Sequence, residues 1–130
     1  NAFGVVNKQD VNIKYIPDGY ELVNTAEIPG NVTYVYSSSE DAFTIEIFEN
    51  ETTDLFPDNE RSQYSETDIN GHKVWIVYDK NNGSGSFIMV GAKISVSVSG
   101  NLPKDELIKI IDELTDMADS VYGKALCKRT

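Results

Sequence analysis

The sequence predicts an α+β fold, in which an antiparallel meander sheet of about six to seven strands is covered on one face by a C-terminal amphipathic helix. Residues 94–99 alternate Ile or Val with Ser, so one side of this strand is apolar and the other polar. That alternation is typical of an antiparallel sheet with a single covered face. A helix is predicted next, because apolar residues recur there at three- and four-residue spacings: Leu107, Ile110, Ile111, Leu114, Ala118 and Val121.

The ends of the predicted helix are marked by Pro103 and Gly123. Proline is tolerated at the first helical position, because the N–H that it lacks would have no helical partner there. Asp105 and Glu106 lie in the first turn, where the helix dipole favours negative charge. The polar side of the helix is acidic, whereas helices that lie on membranes carry basic polar sides. Packing of the helix on the sheet is therefore the favoured interpretation.

The chain before residue 94 reads as strands separated by turns. Pro17-Asp18-Gly19 is a turn signal, because proline presets φ and glycine accepts a positive φ. Asn70-Gly71 is the strongest hairpin signal in the chain. Strands are predicted at residues 20–28, 32–36, 43–48, 64–69, 72–79, 87–90 and 94–99.

The length and composition predict a single domain. The chain has 130 residues, of which 40% are hydrophobic, and this is enough for one core without disulfides. We expect a lead-in segment at 1–11, the sheet at 12–99, the helix at 102–122 and a tail at 123–130. Cys127 is the only cysteine and falls in that tail, so it cannot form an internal disulfide and is interpreted as an incidental thiol. Cysteine poverty leaves the redox compartment open.

The net charge of −10 argues against a nucleic-acid partner, because phosphate binding requires clustered Lys and Arg. Residues 40–66 hold −8 of this charge, as nine acidic residues stand there against Arg61 alone. The favoured interpretation is a solvated strand face and loop. The alternatives are attraction of a cationic partner and loose binding of calcium.

The sequence contains no catalytic or metal-binding constellation. His72 is the only histidine, and it follows a turn with no partner at ligand spacing. Residues 79–85 resemble a calcium loop, but the glycine falls one place early and the closing glutamate is missing, so a hairpin loop is predicted. We therefore expect no catalytic residue, no cofactor and no bound metal.

Trp75, Tyr78, Ser95 and Ser97 form a candidate binding surface. Trp75 lies between two apolar residues, and alternation places it on the face opposite theirs. If the helix covers the apolar side of residues 94–99, the serine side of that strand is expected to be open. A second covered face would explain the tryptophan about as well.

Three segments resemble the bacterial family called domain of unknown function 4367. They are residues 15–22 with the Pro17-Asp18-Gly19 turn, residues 68–72 with the Asn70-Gly71 hairpin, and residues 97–107 from strand to helix. The resemblance covers residues 13–114. Members occur mostly in Gram-positive bacteria, often as the outer domain behind a single membrane anchor and in some cases in anti-sigma-factor-like regulators. The resemblance thus implies an extracytoplasmic, non-catalytic module.

This chain departs from the resemblance at one position. Family members usually begin the helix with Ser or Thr as the N-cap, where this sequence has Pro103. The resemblance therefore does not identify the residue that caps the helix, although the helix itself is still predicted.

The favoured function is a non-catalytic binding or sensing module outside the membrane, which contacts a protein, a peptide or a cell-wall component. The chain begins Asn1-Ala2-Phe3 without methionine, and an export signal or membrane anchor upstream is the simplest expectation. A fragment of a cytosolic protein would begin in the same way. The alternatives are a small hydrolase-like enzyme that uses scattered carboxylates such as Glu46 or Asp79, and a structural spacer. The oligomeric state and the ligand stay open.

Overall fold

The computed structural model describes residues 13, 15–49, 64–90 and 94–117. The described chain confirms the predicted antiparallel sheet and the helix packed on it. Cys127, Gly123, the lead-in segment at 1–11 and the acidic stretch at 50–62 lie outside the described residues, as do the last predicted helical residues. The elements are β1 (Glu21–Ile28), β2 (Asn31–Ser37), β3 (Ala42–Glu49), β4 (Ser65–Ile69), β5 (His72–Asp79), β6 (Ser84–Val90), β7 (Ile94–Asn101) and α1 (Lys104–Met117).

The strands form one sheet in the order β1-β2-β3-β7-β6-β5-β4, and each neighbouring pair is antiparallel. The meander thus consists of two runs, β1 to β3 and β4 to β7. The runs join where β7 lies beside β3, with Val98 opposite Ile45. As a result, β7 is central although it is the last of the described strands, and β1 and β4 are the two edges among these strands.

One face of the sheet, here called the core face, carries the main hydrophobic cluster. Since directly paired residues point to the same side of a sheet, Val96 and Val98 place their partners on this face. The helix packs on it against β6 and β7. The predicted apolar stripe is confirmed over its described part, because Leu107, Ile110, Ile111 and Leu114 are all buried in the cluster. Burial of each such side chain stabilises the fold by about 1.5–3 kcal/mol relative to exposure.

The helix begins at Lys104, one residue after Pro103, the predicted first helical position, and two residues after the predicted bound of 102. Its first residue is Lys104, and the carbonyl oxygen of Pro103 accepts backbone hydrogen bonds from Glu106 at 3.0 Å and Leu107 at 3.2 Å. A residue whose carbonyl accepts the first helical bond is the N-cap. Pro103 is therefore the cap and not the first helical residue, and it offers no side-chain oxygen to the free N–H groups of the first turn.

The face opposite the helix, here called the outer face, is not open along its whole length. Ser95 is fully buried, while Ser97 and Ser99 are half-buried, so the expectation of an open serine side is wrong at Ser95. The reason is the cross-strand neighbourhood of that serine. Phe48, itself buried, lies directly opposite Ser95 on β3, and paired side chains on one face stand about 5 Å apart.

The β3–β7 pairing predicts a steric cost at Gly100. This glycine lies opposite Phe43 with a φ of +154°, and a Cβ there would lie 2.5 Å from the Cα atom of Phe43. We expect Gly100→Ala to lower the free energy of unfolding by about 2–4 kcal/mol, measured by urea denaturation.

Gly71→Ala is the matched control for that substitution. Gly71 also has a positive φ, of +80°, but a Cβ there would meet no atom within 4 Å. The free energy of unfolding of this variant should fall only by the backbone cost of about 1–2 kcal/mol. Equal losses in the two variants would contradict the steric explanation for Gly100.

Candidate functional site

A groove lies on the core face between the edge strand β4 and the helix. Its volume is about 460 Å³, within the range of roughly 300–1,000 Å³ typical of ligand sites. The groove exists because α1 packs mainly on β6 and β7, which leaves room beside it over β4 and β5. Its lining residues are Ser65, Thr67, Asp68 and Ile69 of β4, Ile76 and Tyr78 of β5, and Lys104 and Ile108 of α1.

One end of the groove is fixed by the hairpin turn between β4 and β5. Asn70 and Gly71 have φ values of +54° and +80°, as the tight turns of two-residue hairpins require. The side-chain amide of Asn70 donates to the hydroxyl of Thr115 at 3.1 Å and to the carboxylate of Asp112. Thr115 is fully buried, and its hydroxyl donates in turn to the carbonyl of Asp112 at 2.7 Å. These bonds tie the turn to the helix.

The other end of the groove is fixed by Tyr78. Its hydroxyl donates to the carbonyl oxygen of Leu102, just before the helix, at 3.1 Å. Gly85 lies directly opposite Tyr78 on β6, and a Cβ there would lie 2.4 Å from the tyrosine ring. The missing side chain lets the ring lie over β6. The hydrogen bonds of Asn70 thus connect the hairpin turn to the helix, and that of Tyr78 connects the end of β5 to Leu102. These bonds fix the ends of the groove.

The groove combines hydrogen-bonding groups with an apolar floor. Ser65 and Thr67 contribute hydroxyls, while Lys104 and Asp68 contribute one charge of each sign. Ile69, Ile76 and Ile108 supply apolar surface. Over the described ranges, no group of three or more His, Cys, Asp or Glu residues could hold a metal ion. The arrangement suits an elongated ligand with alternating polar and apolar groups.

The opposite flank of the helix is occupied by the segment that precedes β1. The hydroxyl of Tyr15 donates to the carboxylate of Glu106, and this hydrogen bond, followed by desolvation, raises the pKa of Tyr15. The ammonium of Lys109 lies 5.9 Å from the Tyr15 ring centroid and 3.6 Å from the Glu106 carboxylate. On the same side, Tyr20 packs edge-on against Phe43 at 5.2 Å. Among the described residues, this segment covers one flank of the helix, and the groove lies at the other.

Two further tyrosines, Tyr34 and Tyr36, lie on the core face near Tyr20 and Phe43. Burial raises the pKa of both Tyr34 and Tyr36. Tyr36 stacks on Phe43 with ring centroids 5.1 Å apart. These side chains are part of the hydrophobic cluster and do not line the groove.

Comparison with known proteins gives a family for this fold and groove. A family model described as a domain of unknown function, DUF4367, matches residues 10–114. The chain belongs to the DUF4367 family. The match spans all seven strands of this DUF4367 domain and every residue that lines the groove. No curated protein matches the chain. Within the described ranges of the DUF4367 domain, no helix has the length and apolar character needed to cross a membrane.

The DUF4367 domain places the four predicted binding residues on two different faces. Tyr78 lies on the core face and lines the groove. Trp75, Ser95 and Ser97 lie on the outer face, since Trp75 and Ser97 both pair with Ile88. The tryptophan is only 8% exposed, and the ammonium of Lys73 lies 5.9 Å from its ring. A binding role for the three outer residues stays a prediction, separate from the groove.

Residues 79–85 of the DUF4367 domain span the β5–β6 hairpin, in which residues 80–83 connect the two strands. A carboxylate oxygen of Asp79 accepts from the backbone N–H of Asn81 at 2.9 Å. The side-chain oxygen of Asn82 accepts from the N–H and the hydroxyl of Ser84 at 3.0 and 2.6 Å. The polar side chains thus stabilise the turn itself, which agrees with the hairpin interpretation.

Sequence reasoning missed how the DUF4367 domain frames its groove. Asn70 was recognised only as a turn residue, and its bond to Thr115 spans 45 positions in the sequence. A local pattern carries no signal for such a contact. Tyr78 was recognised as a candidate, but its partner Leu102 was not.

Asn70→Gly tests whether the turn is held to the helix. Glycine accepts the same positive φ, so the hairpin is kept while the amide donor is lost. We expect the free energy of unfolding to fall by about 1 kcal/mol. In a double-mutant cycle with Thr115→Val, the two losses should be non-additive by about 0.5 kcal/mol or more. Additive losses in urea denaturation would contradict a direct bond.

Proposed function

We propose that this DUF4367 domain is a non-catalytic binding module whose groove holds an extended peptide segment of another protein. The observation that carries the proposal is the position of the groove along an edge strand. Among the described residues, β4 pairs with β5 alone, so its other side is the end of the sheet. Such an edge offers backbone N–H and C=O groups, and extended peptides bind proteins by pairing with them.

The side chains that line the groove fit this mode of binding. Ser65, Thr67 and Ile69 alternate along β4 and share the core face, so they stand in a row along the groove. Ile108 and Lys104 form the opposite wall on α1. A peptide that pairs with β4 would direct every second side chain between the strand and the helix. Apolar side chains would contact Ile108, and an acidic side chain would meet Lys104.

The two ties at the ends of the groove support a preformed site. Asn70 holds the hairpin turn to α1, and Tyr78 holds the end of β5 to Leu102. A ligand that enters a preformed groove does not have to order its walls, and this reduces the entropy cost of binding.

An enzymatic function has less support from the described residues. The two carboxylates considered as catalytic candidates, Glu46 and Asp79, accept hydrogen bonds in separate parts of the sheet. Glu46 accepts a hydrogen bond of 2.7 Å from Asn31 on the outer face, and Asp79 stabilises the β5–β6 turn. Neither lines the groove. No observation specifically favours a spacer function.

A substitution that fills the groove tests the proposed function. Peptides selected from a displayed library on the purified domain would be resynthesised and their affinities measured by calorimetry. Thr67→Tyr places a ring in the groove and should weaken binding at least roughly tenfold, because the contact surface is lost. Glu66→Tyr is the matched control, since Glu66 is the next residue on β4 and points to the outer face.

Each other outcome of this experiment contradicts the proposal. Equal affinities in the two tyrosine variants would place the ligand elsewhere. Thermal stabilisation by soluble cell-wall glycans but by no peptide would change the ligand class. Turnover in hydrolase or transferase screens would replace a binding module by an enzyme, and a lack of response to every probe would favour a spacer.

We also propose that the domain lies outside the membrane of a bacterium. It would be the outer part of a membrane-anchored protein. The basis of this proposal is the resemblance of three motifs to a family whose members often lie behind a single membrane anchor. In intact cells, an epitope-tagged form of the complete encoded protein should lose this domain to added protease. Protection until the cells are lysed would contradict the proposal.

A further inference from the structure

The edge strand at the far side of the sheet, β1, exposes apolar side chains. Leu22, Val23 and Ile28 are 49%, 57% and 62% exposed. In the described part of the chain, β1 pairs with β2 alone and ends the sheet. Edge strands of monomeric proteins are usually protected by lysine, proline or bulges, because an apolar edge attracts other strands. This strand has no lysine or proline, and its bulge lies near its start, between Leu22 and Asn24.

The part of the sheet that contains β1 carries only negative charge. Residues 15–49, which include β1, β2 and β3, contain seven acidic residues and no Lys, Arg or His. Two of the seven lie in β1 itself, near its two ends. The formal charge of residues 15–49 is therefore negative, and negative charge favours approach of a cationic partner. The seven are Asp18, Glu21, Glu27, Glu40, Asp41, Glu46 and Glu49.

The backbone of β1 offers a regular frame for pairing. The register with β2 shifts between Leu22 and Asn24, which is a bulge. From Asn24 to Ile28 the register is continuous, so five residues present an extended outer edge. Such a frame is long enough to pair with a short extended segment.

We propose that β1 binds an extended basic segment of a partner protein, which joins the sheet as an eighth strand. Main-chain hydrogen bonds to residues 24–28 would hold the segment, and its apolar side chains would cover Val23 and Ile28. Basic side chains at its ends would meet Glu21 and Glu27. This site lies at the opposite edge from the groove and does not depend on the groove's ligand.

A second copy of the chain fits this edge poorly. Antiparallel pairing of β1 with another β1 would join two strands that each contain two glutamates and no cation. Like charges across paired strands are destabilising, and each copy carries a net charge of −10. The same carboxylates that disfavour self-pairing favour a basic partner.

A designed peptide tests the proposal on the whole chain. The probe alternates Val and Thr and has two lysines at each end, and a matched peptide has glutamate in place of every lysine. We expect only the lysine peptide to bind at low salt, with weaker binding as salt is added. Hydrogen exchange of the backbone amides at residues 24–28 should slow on binding. A lysine peptide with alternate N-methylated amides should lose at least about tenfold in affinity, because it cannot pair with the strand.

Charge reversal supplies the matched variants. The double variant Glu21→Lys, Glu27→Lys should lower the affinity for the lysine peptide at least roughly tenfold and should allow the glutamate peptide to bind. Asp105→Lys with Glu113→Lys gives the same change in net charge on α1 and should leave the affinity for the lysine peptide within about twofold. Circular dichroism and thermal unfolding confirm that each variant is folded.

Four results would overturn the inference. Equal losses in the two double variants would mean general charge attraction, and equal binding of the N-methylated peptide would exclude strand pairing. Slowed exchange at β1 that depends on protein concentration without peptide would identify a second copy as the occupant. Binding that Thr67→Tyr abolishes would place the lysine peptide in the groove, which supports the proposed function but not a site at β1.

Discussion

The pairing of β3 with β7 determines the rest of the structure. It joins the two strand runs into one sheet and places β7, the last of the described strands, at its centre. The helix follows β7 after two residues, so it must begin near the middle of the sheet, and it packs on β6 and β7. Seven strands are wider than one helix can cover. The groove over β4 and β5 is the part that this helix leaves open on one flank, while Tyr15 and Tyr20 fill the other.

Local patterns predicted every described strand and the helix, but not their arrangement. The Ile and Val positions of residues 94–99 identify a covered face, and the stripe of Leu107 and Ile110 identifies what covers it. The same alternation does not say which strand lies next to which, so the order around β7 was not predictable. Pro103 was placed one position too far into the helix, since proline is compatible with both positions. Ser95 was expected to be open because its own residue type is polar, yet its burial depends on Phe48 across the strand pair.

The candidate site was harder to predict because long-range contacts form it. Tyr78 could be singled out as an aromatic residue, but its position over Gly85 and its bond to Leu102 depend on three separate elements. The same holds for Asn70, whose amide reaches Thr115. The two edges of the sheet also differ chemically. At β4, Glu66 forms an ion pair with Lys73 at 3.1 Å, whereas β1 itself contains two glutamates and no lysine or arginine. A fold alone does not specify function, and in this sheet the two edges differ in the charged and apolar side chains that a partner could contact.

The central position of β7 also sets the order in which the domain can be completed. During synthesis, β1 to β3 and β4 to β6 emerge before residue 94, and each run then has an inner edge without a partner. Only when β7 emerges can it pair with β3 on one side and β6 on the other, across a separation of 53 positions between Ile45 and Val98. Contacts of such long range form slowly. The nascent chain therefore exposes two temporary strand edges until β7 is available. During this interval, chaperones or wrong strand partners compete for these edges.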